Sequence, residues 1–250
     1  MLLLDSGSAP KGAHLGMTEF LRNDGDGLKL TLENGTALSA LLLRPDTARA
    51  CFVLAHGAGA GMSHPFMETV AAGLADRGIA TLRYQFPYME KASKRVDAPA
   101  VAHAAVRAAV DEAARRCPGL PLVAGGKSFG GRMSSQAQAV APLPGVRGLV
   151  FLGFPLHPPG KPSAERAAHL NEVKIPMLFL QGTRDEFAEL RLLQPTVMAL
   201  GSCATLHLVD DGDHSLHVPA RSGRKNADVM AEVLDTAAAW IGERVAAAAG

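Results

Sequence analysis

The feature that most constrains this chain is the junction Leu120-Pro121-Leu122-Val123-Ala124-Gly125-Gly126-Lys127-Ser128-Phe129-Gly130. An apolar run meets a Gly-x-Ser-x-Gly turn and continues into helix-compatible residues from Arg132 to Val140. That sequence form is a strand, a sharp turn and a helix, the pattern of a nucleophile elbow. Its glycines permit a turn too tight for side chains, so the serine is raised above the sheet edge with its hydroxyl exposed. The chemistry it points to is nucleophilic acyl transfer.

The rest of the chain alternates in the same way. Apolar runs fall at Cys51–Ala55, Ile79–Tyr84, Leu120–Gly125, Arg147–Leu152, Pro176–Leu180 and Thr205–Val209. Helical patterns lie between and after them, at about 64–77, 97–117, 129–140, 187–199 and 224–245, the last carrying Met230, Leu234, Ala237 and Ile241 on one stripe. Short, doubly apolar strands separated by helices predict a mostly parallel sheet covered on both faces. Upstream, residues 28–33 and 36–43 flank Asn34-Gly35, the signal of an antiparallel hairpin. Residues 1–26 are Gly-rich and polar, a loose leader in which Met17 is a second candidate start; residues 27–246 form one α/β domain. Phe154 to Ser163 holds four prolines and is too short for a large lid.

With 250 residues and 48% hydrophobic content, the chain can bury the core this sheet requires. A formal net charge of +1 supplies no field for nucleic acid or an anionic membrane. The basic runs Lys91–Arg95 and Arg221–Lys225 are solvated loops. Three scattered cysteines, at 51, 117 and 203, suit a reducing compartment and a cytoplasmic protein. No apolar run approaches the roughly 18 residues of a membrane span. The opening Met1-Leu2-Leu3-Leu4 is too brief for a signal-peptide core.

In open parallel sheets the working edge lies at the carboxyl ends of the strands. Ser128 follows one strand. Asp185 follows another, in Gln181-Gly182-Thr183-Arg184-Asp185, and His214 a third, in Asp210-Asp211-Gly212-Asp213-His214. Asp211 and Asp213 are rival acids, but they lie too near His214 in sequence to approach it from a separate strand. The order serine, acid, histidine matches neither chymotrypsin nor subtilisin. Acyl transfer also needs N–H donors for a developing oxyanion. Phe129, next to the serine, supplies one. The loop His56-Gly57-Ala58-Gly59-Ala60-Gly61 supplies the other from Ala58, with Gly59 as the neighbouring candidate; His56 itself reads as a brace for that loop.

Five segments carry a family resemblance: Leu54-Ala55-His56-Gly57-Ala58-Gly59, Gly126 to Arg132, Phe154 to Pro162, Gly182-Thr183-Arg184-Asp185-Glu186 and Gly212-Asp213-His214-Ser215. On these the chain resembles the α/β-hydrolase superfamily, over about residues 28–245. Within it the chain is similar to a small, lid-poor branch of about dienelactone-hydrolase size. That branch includes the testis-expressed hydrolase-like protein and a subunit of the NSL histone-acetyltransferase complex. The resemblance implies an eight-stranded sheet and a Ser–His–Asp site made of Ser128, His214 and Asp185. Lys127 in the elbow departs from many esterases; its ammonium would either tune His214 or meet an acidic substrate.

Competing motifs fail. Gly126-Lys127-Ser128 ends like a phosphate-binding loop, but Pro121 stands where its first glycine belongs. Gly57-x-Gly59 lacks a third glycine, since Met62 occupies that place. His214 and His217 are three apart with no third ligand suitably spaced, so no metal and no cofactor is expected. Substrate shape is expected from the loops after the 79–84 and 147–152 strands. Phe86, Tyr88, Met89 and Leu156 would wall an acyl pocket there, or else pack the roof of the domain. The expected partner is a small-molecule ester or thioester, and nothing sets an oligomeric state. A non-catalytic scaffold of the same fold is the alternative, as is a peptidase or acyltransferase with the same three residues.

Overall fold

A computed structural model describes residues 28–246; the expected leader, 1–26, lies outside them. Eight strands form one sheet: β1 (Leu28–Thr31), β2 (Ala37–Leu43), β3 (Ala50–Ala55), β4 (Ile79–Tyr84), β5 (Leu122–Lys127), β6 (Val146–Leu152), β7 (Met177–Gly182) and β8 (Ala204–Val209). Their order is β1-β2-β4-β3-β5-β6-β7-β8. The β1–β2 and β2–β4 pairings are antiparallel, and all later ones are parallel. Asn34-Gly35 turns the first hairpin, with Gly35 at φ 81° and its N–H donating to the Leu32 carbonyl.

The central strands β3 to β7 are buried on both sides because their side chains alternate between two cores. In β3, Cys51, Val53 and Ala55 join one hydrophobic cluster, while Ala50, Phe52 and Leu54 join the other. The first cluster is covered by α3 (Pro99–Arg116), α4 (Phe129–Val140) and α5 (Leu190–Ala199). The second is covered by α1 (Pro65–Ala75) and α6 (Asn226–Ile241). A four-residue helix, α2 (Pro87–Glu90), lies between β4 and α3.

Two boundaries differ from expectation for local reasons. β5 starts at Leu122 because the Leu120 N–H is drawn into a turn on Cys117, and it then runs on to Lys127. α5 starts at Leu190 because the Asp185 carboxylate takes the Phe187 N–H at 2.8 Å, holding that stretch in a turn. The proline-rich stretch after β6 is irregular as far as Ser163 and then forms a 3₁₀ turn at Glu165–Glu172. Among the described residues no helix is long and apolar enough to cross a membrane.

Candidate active site

Close packing at the end of β5 shapes the elbow. A Cβ on Gly126 would lie 2.1 Å from the Ala55 carbonyl oxygen, and one on Gly130 would lie 2.6 Å from it. The end of β5 and the start of α4 therefore both lie in backbone contact with the end of β3, and Ser128 between them in the chain is held at φ 48°, ψ −112°. That is a left-handed conformation which non-glycine residues rarely adopt and which costs on the order of 1–3 kcal/mol. The strain places the side chain at the sheet edge.

Three side chains from three loops meet there. The Ser128 hydroxyl lies 2.9 Å from His214 Nε2, and His214 Nδ1 lies 2.7 Å from Asp185 Oδ2. Asp185 is buried, and Gln181 Nε2 also donates to its Oδ2, at 2.5 Å. The Gln181 Oε1 in turn accepts the Phe154 N–H at 2.8 Å. The carboxylate is thus fixed in rotation, with Oδ2 aimed at the imidazole. Gln181 went unrecognised in the sequence; its signal was its place in the last turn of strand before the acid. Phe187 adds a second support, its ring 4.3 Å from the His214 ring and tilted by 35°.

The rival acids do other work. Asp213 Oδ1 accepts the N–H groups of Ser215 and His217, at 2.8 and 2.9 Å, and so shapes the histidine loop. Asp211 lies at φ 57° and its N–H donates to Thr183 Oγ1.

On the other side of Ser128 lies the loop after β3. Phe129 is the first residue of α4, where an amide has no intrahelical acceptor. Gly59 donates its N–H to the Tyr88 hydroxyl at 3.1 Å, which takes it out of the contest and leaves Ala58 as the unengaged donor of the pair. His56 Nδ1–H donates to the Gly57 carbonyl at 2.8 Å, and its Nε2 accepts the Phe86 N–H at 3.1 Å. Burial lowers its pKa to about 4, against the opposing pull of the Gly57 bond, so it is a neutral brace at ordinary pH.

A cavity of about 620 Å³ opens beside Ser128 and His214. Its walls come from the starts of α1 and α6 and from the loop after β3: Ala58, Ala60, Phe66, Ala227 and Met230, with His64, His217 and Lys127 as polar members. Of the two placements expected for Phe86, Tyr88, Met89 and Leu156, a pocket wall or packing in the domain, the structure has the second. Phe86, Tyr88 and Leu156 are buried, Met89 packs half-buried against the core, and none of the four lines the cavity. Their loops turn inward because the Phe86 N–H is held by His56, the Tyr88 N–H by Asp97, and the Leu156 N–H by the Phe187 carbonyl.

Comparison with known proteins agrees with this architecture. A family described as an alpha/beta hydrolase domain matches residues 48–242, and the chain belongs to that family. Among solved structures, a dienelactone hydrolase from Anabaena variabilis superposes with a TM-score of 0.71 at 19% identity, covering 91% of this chain and 99% of that one. A serine hydrolase without a lid from Xanthomonas campestris gives 0.67 at 20% identity, covering 91% and 98%. A cold-adapted esterase from an Arctic intertidal metagenomic library gives 0.64 at 18% identity, covering 88% and 93%.

Proposed function

We propose that this protein is a serine hydrolase of small carboxylic esters or thioesters, working through an acyl-enzyme with residues 27–246 as its catalytic unit. The observation that carries the reading is the hydrogen-bonded line Asp185–His214–Ser128, ending on a hydroxyl beside an apolar cavity. In this scheme Ser128 Oγ attacks the acyl carbonyl and His214 Nε2 takes its proton. The carbonyl oxygen, now an anion, is met by the N–H groups of Ala58 and Phe129. His214 passes the proton to the leaving alcohol or thiol, then activates a water that releases the acid. Asp185 fixes the tautomer with Nδ1 protonated and stabilises the imidazolium.

Supporting the reading are fold relatives described as an esterase, a serine hydrolase and a dienelactone hydrolase. The sequence resemblance to the testis-expressed and NSL-subunit branch is compatible with it, and a scaffold has no use for the three-residue line. The free thiols of Cys51, Cys117 and Cys203 support a reducing, cytoplasmic setting. With no large lid over the cavity among the described residues, soluble substrates are expected and interfacial activation is not. The test is labelling with a fluorophosphonate and mapping of the modified peptide, together with hydrolysis of nitrophenyl butyrate by Ser128→Ala. An adduct on Ser128 and a loss of about 10⁴- to 10⁶-fold in rate are expected. An unlabelled Ser128 beside a fully labelled control esterase would refute the proposal.

A further inference from the structure

Lys127 has no part in that scheme, yet its side chain threads through the middle of the site. Its stem passes the loop after β3, where a Cβ on Gly57 would lie 3.3 Å from Lys127 Cγ. Its ammonium donates to the main-chain carbonyl of His214. The gap it enters is kept open by Gly153, at φ 73°: a Cβ there would lie 2.8 Å from Lys127 Nζ and 3.0 Å from the His214 oxygen. Phe66 faces the ammonium from α1, with its ring centroid 5.7 Å from Nζ.

We propose that Lys127 is a positioning residue that clamps the main chain at His214, so that the imidazole stays in line between Ser128 and Asp185. The proposal rests on the hydrolase reading above. The histidine sits in a loop whose other hydrogen bonds are made at its neighbours, Asp213, Ser215, Leu216 and His217. Among the described residues, Lys127 is the partner of the His214 carbonyl itself. A methionine would fill the same channel without a desolvated charge, so packing alone gives no reason for a lysine here. Charge is what the clamp adds, because a hydrogen bond from an ionised donor is roughly twice as strong as a neutral one.

The clamp has a built-in pH limit. Burial lowers the Lys127 pKa to about 8, opposed by the negative charges of Asp185 and Asp213. Those two carboxylates face it from the loops after β7 and β8, along with His214, while His64 and His217 share its cavity. Above that pH the ammonium becomes a neutral amine, the bond weakens and the rate falls.

The experiment compares wild type, Lys127→Met, Lys127→Arg and Ser128→Ala on nitrophenyl butyrate across pH. Lys127→Met is expected to lose about 10- to 100-fold in kcat, the worth of one charge-assisted bond, with KM little changed. Its pH profile should lack the descending limb near pH 8, and it should melt no lower than wild type. The low-field proton resonance of the His214–Asp185 bond, read on unreacted protein, should broaden or vanish. Lys127→Arg keeps its charge and should move the limb to higher pH. A Lys127→Met enzyme with wild-type kcat and an intact resonance overturns the clamp, as does a loss confined to KM. If Lys127→Met does not fold, an unmoved limb in Lys127→Arg overturns it instead. Activity surviving in Ser128→Ala would sink the hydrolase reading, whereas an inactive Ser128→Ala beside an unaffected Lys127→Met sinks the clamp alone.

Discussion

The two sides of Ser128 are built differently. Towards α3 and α4, the rings of His56, Phe86, Tyr88 and Phe129 pack edge to face or tilted at centroid separations of 5.0 to 6.3 Å. They are almost wholly buried, and they belong to the same two segments as the amides of Ala58 and Phe129 or bond to them, Tyr88 through the Gly59 N–H and Phe86 through His56. Towards α1 and α6, half-buried Phe66 and Met230 border the cavity across from Ser128. A packed aromatic cluster holds donors still, since close-packed interiors transmit any displacement. Ala58 also borders the cavity, but its far wall, at the starts of α1 and α6, can change shape without moving those donors. On the proposed mechanism, the oxyanion donors and the fit of the substrate would be drawn from opposite faces of the sheet and should separate under mutation.

The largest break in that comparison comes from Phe86→Ala. Phe86 is fully buried and touches His56, Tyr84 and Phe129, at 5.0, 5.2 and 5.2 Å between centroids. Deleting it should lower stability by about 3–5 kcal/mol in urea unfolding. The folded fraction should lose kcat while its preference among acyl chain lengths stays as in wild type. A changed preference would mean that the aromatic side does shape the substrate.

That separation was only partly legible in the sequence. The sheet was readable because its central strands are apolar on both faces, a property of the strand alone. Ser128, Asp185 and His214 could be placed at one edge because each closely follows its own strand. Loop direction was not readable. Phe86, Tyr88 and Leu156 do leave the correct edge, but they turn inward through bonds to His56, Asp97 and Phe187, between 9 and 31 residues away along the chain. The cavity wall suffered the reverse error: Met230 was recognised on the packing stripe of α6, yet its position near the helix start brings it to the cavity as well.

A smaller effect sharpens the rigid side. Tyr88→Phe removes the acceptor of the Gly59 N–H and leaves the ring in place. Ala58 and Gly59 are both exposed at the loop surface, so water can satisfy the freed amide and the fold should keep its stability. The loop, though, loses the bond that distinguishes one donor from the next. One neutral hydrogen bond is worth about 0.5–1.5 kcal/mol, so kcat should fall by roughly 3- to 10-fold with KM nearly constant. An unchanged kcat would show that the aromatic packing alone fixes the donor.

The smallest effect belongs to the adaptable side and concerns selectivity rather than rate. Met230 sits in the first turns of α6, half-buried, with its side chain on the cavity wall and against the α1 cluster. Met230→Ala enlarges the cavity away from Ser128 and leaves the hydrogen-bonded line untouched. Each methylene buried contributes about 0.8 kcal/mol, and part of that is lost to imperfect filling of the new space. The ratio of kcat/KM for nitrophenyl octanoate over nitrophenyl butyrate should therefore rise by about 2- to 5-fold, with kcat on butyrate unchanged. Met230→Trp should lower the same ratio. Should both substitutions alter kcat on butyrate and leave the ratio fixed, the acyl chain lies elsewhere, and the two sides of Ser128 are not divided in the way their packing indicates.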